Sequence, residues 1–214
     1  MGDNTNAPRG FEPLELGSKY RAHLYRITNN YGTALYLNDP VYVVTAGTIE
    51  ICVVTKAYPV LGSIVGIFKQ DGPTSHRPEN LIPIEAANGM PYLAASVGAT
   101  YDYWALVADD PDQIFLVQED SDTTPLQYTH VGANCQHVAS SGSTVTGISN
   151  TTLDSSSANS GADLQWRLMQ PAPIWDMLAN QWNTVYDGAT ASAYTKWIVR
   201  CNLHQLGRTT SGLA

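Results

Sequence analysis

The sequence predicts an all-β fold, a β-sandwich or jelly-roll-like barrel, and three observations carry that expectation. Short apolar runs rich in Val, Ile, Tyr and Trp recur along the chain, bounded by turn residues such as Asn38-Asp39-Pro40 and Asn88-Gly89. Several runs alternate apolar with polar residues, the period of a strand with one wet face. No strand-like run leads into a long helical pattern, so the βα alternation of a parallel sheet is missing. A chain of 214 residues fits one large β-domain, expected over 16–206 between a flexible N-terminal arm at 1–15 and a polar C-terminal tail at 207–214. A domain of this size buries roughly 70% of its unfolded surface, enough for a true core.

The arm carries Pro8, Pro13 and a lone aromatic, Phe11. So few apolar groups do not offset the entropy of ordering it. It is expected to be loose in isolation, with Arg9 and Phe11 as candidate contacts to a partner surface.

The β-pattern starts with Tyr20, Leu24 and Tyr25 and resumes at Leu35 to Leu37 after the turn Asn29 to Gly32. The Asn38-Asp39-Pro40 turn leads into Val41 to Val44. In the next run, Thr48 to Thr55, alternation places Ile49, Ile51 and Val53 on one face and Glu50 and Cys52 on the other. Gly62 and Gly66 lie inside the apolar run Val60 to Phe68 and predict a bulge or a close backbone approach in a bent sheet. The polar stretch 71–80 reads as a loop, and Pro83 marks Leu81 to Ala86 as an edge strand.

Tyr101 to Ala108 and Ile114 to Val117 flank Asp109-Asp110-Pro111-Asp112. Together they predict a central hairpin whose type I turn has Pro111 at its second position and Asp110 accepting from a nearby backbone N–H. Gln127 to Val138 is a weaker strand. The Ser, Thr and Asn-rich 140–161 reads as a solvated outer hairpin and a surface loop. In Asp163 to Gln170, Leu164, Trp166 and Leu168 share one face. Trp175, Leu178, Trp182 and Val185 fall near the helical period and predict the one short helix. Trp175 and Trp182 are further candidate interface residues. The last strand, Thr195 to Leu203, directs Trp197, Val199, Cys201 and Leu203 inward.

Charge narrows the partners. Nineteen acidic and 11 basic residues give a formal charge of −8, with no basic patch to neutralise a run of phosphates, so nucleic acid is not an expected partner. No run approaches the roughly 18 apolar residues of a membrane helix, and the opening MGDNTNAPRG lacks a basic-then-apolar leader pattern. No membrane association is expected. Cys52, Cys135 and Cys201 are odd in number and far apart, and read as buried thiols rather than zinc ligands.

Asp109, Asp110, Asp112, Glu119, Asp120 and Asp122 concentrate carboxylates near the two ends of the central hairpin. Hard oxygen donors suit calcium, but the spacing matches neither an EF-hand nor a paired-carboxylate catalytic motif, and turn capping with a solvated charge cluster is the reading expected. His23, His76, His130, His137 and His204 are scattered and read as ordinary histidines. No nucleophile elbow, zinc motif or phosphate-binding glycine loop is present. No catalytic residue, cofactor site or metal site is assigned, and no enzymatic activity is expected.

Six segments, taken in order, carry a family resemblance: Arg9 to Pro13, Asn38 to Val43, Gly62 to Phe68, Trp104 to Glu119, Gly142 to Asp154 and Lys196 to Leu206. With them the chain resembles the head decoration, or cement, proteins of tailed bacteriophages. The resemblance implies a homo-oligomer, dimer or trimer, assembled in the bacterial host cytoplasm. It would bind the outer surface of the expanded head and bridge subunits of the major capsid protein. Arg9, Phe11, Trp175 and Trp182 would then be capsid or subunit contacts. Deleting residues 1–15 would be expected to leave the β-domain folded and weaken attachment. The exposed-looking Tyr and Trp residues and the Asn/Asp-rich loops leave a second class open, a carbohydrate-binding module or phage adhesin.

Overall fold

The computed structural model describes residues 6–14, 21–53, 58–72, 77–86, 89–97, 101–120, 122, 124–176, 181–184 and 194–207. It is an all-β protein in which two six-stranded sheets pack together. The first sheet has the order β1 (Glu12–Pro13), β8 (Ile114–Gln118), β14 (Lys196–Cys201), β11 (Trp166–Pro171), β9 (Asn134–Val138), β10 (Thr152–Asn159). The second has the order β3 (Pro40–Val43), β4 (Ile49–Ile51), β2 (Ala22–Ile27), β7 (Tyr103–Ala108), β5 (Gly62–Gln70), β6 (Leu81–Pro83). Because β3 also pairs with β5, the second sheet curls into a closed ring, β3-β4-β2-β7-β5, with β6 at its edge. The ring closes between β2 and β4 through one parallel register pair, Ile27 and Ile49.

Alternation explains how each layer is buried. In β14, Trp197, Val199 and Cys201 are buried while Lys196, Ile198 and Arg200 are only partly so. In β11, Trp166 and Leu168 point the same way. These side chains join Phe11, Phe115, Val117 and Cys135 in one core cluster, closed from the ring side by Cys52, Val60 and Ala108. A second cluster, with Ile27, Val41, Ile49, Leu61, Ile64 and Val107 among its members, is built mainly from the ring strands. In β14 the polar Lys196 and Arg200, and in β11 Arg167, thus fall on the wetter face, as the half-wet period requires.

The glycine run in β5 behaves as a bend. Its register against β7 shifts between Ile64 and Gly66, and a Cβ on Gly62 would lie 2.0 Å from the Ala108 carbonyl oxygen. Backbone has no rotamer by which to retreat. Gly62→Ala is therefore expected to lose about 3 kcal/mol, at the upper end of overpacking costs. At Gly66 the new Cβ would meet the end of the Phe68 ring at 3.0 Å, which can swing aside, so Gly66→Ala should lose under about 1 kcal/mol. Urea unfolding of the two variants measures the contrast; equal losses would mean that β5 and β7 do not close on each other this tightly.

Five expectations are corrected. The strands flanking Pro111 exist but are not a hairpin: β7 pairs with β2 and β5 in the ring, whereas β8 pairs with β14 and β1. The link between them carries the chain from one sheet to the other. Its turn forms as expected, with Gln113 N–H donating to Asp110 O at 2.9 Å and Asp112 N–H to Asp110 Oδ1 at 2.9 Å. Second, the predicted short helix is instead a separate two-stranded hairpin, β12 (Pro173–Asp176) with β13 (Gln181–Thr184). The helical structure among the described residues is a 3-10 turn at Tyr128–His130.

Third, β4 ends at Ile51, so Cys52 is buried and Val53 is 48% exposed, the reverse of simple alternation. Cys52 N–H still donates to Pro40 O, the next rung in the register of β3 and β4, so the pairing runs one residue past the point where the side-chain alternation breaks. Fourth, the Ser-rich Thr152–Asn159 is an edge strand on β9 rather than a surface loop. Fifth, the N-terminal segment is part of the fold: Pro13 and Glu12 pair with β8, and Phe11 is fully buried. Phe11 faces the chain's own core rather than a partner, and the boundary expected at residue 16 lies outside the described residues.

Candidate functional site

The β2 alternation places His23 and Tyr25 on one face, opposite Val107 and Ala105 of β7. Just past the end of β7 the chain turns, and Asp109 enters beneath them with 2% exposure. His23 Nδ1 lies 2.8 and 2.9 Å from the two Asp109 carboxylate oxygens, and the Tyr25 hydroxyl donates to Asp109 Oδ2 at 2.5 Å. A buried carboxylate is costly unless paired and hydrogen-bonded, and these two side chains meet that need. Burial, with the hydrogen bond to Asp109 and its charge, pushes the Tyr25 phenol well above its ordinary range.

Arg21 precedes β2 and sits 3.9 Å from Asp110. With Pro111 and Leu206 these residues line an open groove of about 400 Å³. His23 is mostly exposed within it, its side chain at 68%. An imidazole held at Nδ1 by a buried carboxylate keeps its tautomer and orientation, so the groove offers polar groups in fixed positions. Sequence reasoning set His23 aside and grouped Asp109 with its acidic neighbours. The partners are 86 residues apart, and the faint signal was the His23-x-Tyr25 alternation.

The acidic residues divide into two places. Asp112 is exposed near Arg200, at 3.5 Å, on the turn with Asp110. At the far end of β8, Asp120 and Asp122 meet Asp154, with carboxylate oxygens within 4.8 Å of one another. These oxygens are already engaged: Ser155 Oγ lies 2.8 Å from Asp120 and 2.9 Å from Asp122, and Thr124 N–H donates to Asp122 at 2.8 Å. That backbone N–H leads the causes that hold the Asp122 carboxyl below its ordinary value. Three carboxylates could contribute to a calcium site, which takes six to eight oxygens, but here they cap their own loops. His137 is fully buried and satisfied, with Nε2 2.8 Å from Cys52 O and Nδ1 accepting from the Trp166 indole at 3.2 Å. Burial lowers its pKa to about 4. His76 lies outside the described residues.

The expected contact residues separate. Arg9 stays on the surface, 3.6 Å from Glu12, while Phe11 stacks on Trp166 with ring centroids 3.9 Å apart. Trp175 and Trp182 come together as directly opposed residues of β12 and β13.

The six segments named above are linked to one another by direct contacts. Phe11 N–H donates to Asn38 O, Asn38 N–H to Ile64 O and the Asn38 side-chain amide to Arg9 O. Ser63 pairs with Ala108, β8 pairs with β14, and Asp120 N–H donates to Leu153 O next to the Glu119–Leu153 bridge. Comparison of the chain with protein-family models, curated proteins and solved structures found no match.

Proposed function

We propose that the chain is a virion structural protein of a tailed bacteriophage that binds the outer surface of the expanded head and stabilises it by bridging major capsid subunits. The observation that supports this reading most is this set of contacts: the segments that resemble decoration proteins are among those that hydrogen-bond the N-terminal strand, the ring and the first sheet into one unit. A resemblance spread along the chain is thereby a resemblance of one connected structure. The protein acts as a homo-oligomer, is assembled in the host cytoplasm, and its role is mechanical rather than catalytic.

Stabilisation follows from mass action. A protein that binds only the expanded lattice stabilises it by about 2.7 kcal/mol per site at a hundredfold excess over Kd, and many sites add. Phe11 contributes indirectly, by anchoring the strand that presents Arg9. The β12–β13 pair, which among the described residues joins neither six-stranded sheet, is the second candidate contact.

The test is the copy number of the chain in purified virions, measured by mass spectrometry against the major capsid protein. The expected result is a ratio near unity or a simple lattice fraction of it. A few copies per particle would favour a tail component or adhesin, and absence from the virion would overturn the reading.

A further inference from the structure

The groove between β2 and the β7–β8 link has no part in the capsid reading. We propose that it is a binding site for a neutral saccharide. Its lining sets two carboxylates, Asp109 and Asp110, against one guanidinium, Arg21. An anion would meet those carboxylates with no excess positive charge to draw it in, whereas a neutral ligand rich in hydroxyls would not be repelled. Sugar hydroxyls both donate and accept, and the groove offers both kinds of partner: the Arg21 guanidinium donates, the Asp110 carboxylate accepts, and His23 keeps Nε2 beyond its bond to Asp109.

Two further features fit the same ligand class. Pro111 and Leu206 contribute apolar surface, which suits the C–H face of a sugar ring. Leu206 is 56% exposed there, a large apolar side chain left facing water. Part of the polar lining is held before any ligand arrives, because Asp109 is bonded to both His23 and Tyr25, so binding orders few new rotamers among these three residues. The volume of about 400 Å³ lies within the roughly 300–1,000 Å³ of small-ligand sites.

The experiment is a titration of the full-length ¹⁵N-labelled chain, followed by amide NMR shifts, with maltotriose, chitotriose and galactotriose as neutral probes and trigalacturonate as the acidic one. At least one neutral probe is expected to give saturable shifts at Tyr25, Asp110 and Leu206. Filling the groove with Leu206→Trp, or removing a donor with Arg21→Ala, should weaken that binding by roughly tenfold or more; both positions are exposed, so the variants should fold, and their spectra report it. Trigalacturonate should bind at least about tenfold more weakly than the best neutral probe. Silence with all three neutral probes, shifts confined to another surface, unchanged affinity in folded Leu206→Trp, or equal binding of the acidic probe would each overturn the proposal. None of these outcomes bears on the virion copy number.

Discussion

Phe11→Ala is expected to destabilise the protein by about 3–5 kcal/mol, the range for truncating a large buried aromatic. For a chain of this size that corresponds to a fall in Tm of roughly 6–20 °C. The side chain is fully buried, stacked on Trp166, and meets the Phe115 and His137 rings edge-on at 6.4 and 5.9 Å. Its removal leaves a cavity walled by three other rings, which cannot collapse into it without giving up their own contacts. Arg9→Ala, two residues away, removes only an exposed pairing with Glu12 and should shift stability by under about 1 kcal/mol. Thermal unfolding of the two variants, followed by near-ultraviolet circular dichroism, makes the comparison. An unchanged Tm for Phe11→Ala would mean that the N-terminal segment is not docked in solution.

The same packing reverses the expectation for truncation. Removing residues 1–15 deletes Phe11 and the strand that pairs with β8, so the remaining domain should be strongly destabilised rather than left intact. A loss of capsid attachment in such a truncation would then report unfolding. Arg9→Ala, with the fold preserved, is the variant that isolates a contact role for the arm.

Local pattern was legible where one face of a strand is wet. Lys196 to Cys201 and Trp166 to Leu168 alternate as read, Gly62 and Gly66 mark the irregular stretch of β5, and Pro83 sits on an edge strand. Pairing was not legible. β7 is buried along nearly its whole length, and a strand apolar on both faces carries no period to say which neighbour it takes. The Trp175 to Trp182 spacing fits two turns of helix, but it also fits opposed positions across a turn, and the pairing of β12 with β13 decides it. Phe11 sits alone in a polar stretch, where composition argues for looseness. Its partner Trp166 is supplied by a distant strand.

The groove was illegible for a related reason. His23 and Asp109 are ordinary residue types in unremarkable local contexts, and closure of β2 against β7 brings them together. The acidic cluster shows the converse. Adjacent in sequence, its members are divided between a link at one end of β8 and capped loops at the other.

Stability should fall as pH rises through neutrality, and Asp39→Asn should relieve a large part of that fall. Asp39 is fully buried, and while Tyr36 N–H donates to its Oδ2 at 2.8 Å, its Oδ1 has no hydrogen-bond partner among the described residues. Burial raises its pKa from 3.8 to about 7, against the opposing hydrogen bonds of Ser149 and Tyr36. Glu119, also buried, is raised from 4.5 to about 7 by burial, although Leu126 and Thr195 N–H groups bond its carboxyl. A raised carboxyl pKa means that the folded state keeps a proton the unfolded chain has lost. No penalty exists below the unfolded pKa; it grows as pH rises and is complete above the folded value. At 1.36 kcal/mol per pKa unit, each group costs on the order of 3–4 kcal/mol above neutrality. His137 acts with the opposite sign: its folded pKa of about 4 lies below the ordinary 6.5, so its contribution is lost as pH falls through that interval. Burial also lowers the pKa of His204. The histidines therefore oppose the carboxyls in acid, and their opposition fades above about pH 6.5, the unfolded value, where the carboxyl trend comes to dominate. Asn at position 39 retains a carbonyl to accept from Tyr36 and removes the titration. Any constant cost of the amide cancels when its effect at about pH 5 is subtracted from that at about pH 8, and the remaining difference should favour the variant by several kcal/mol. Urea unfolding across that interval measures it, and parallel stability curves for the two proteins would show that Asp39 ionises in the fold without penalty.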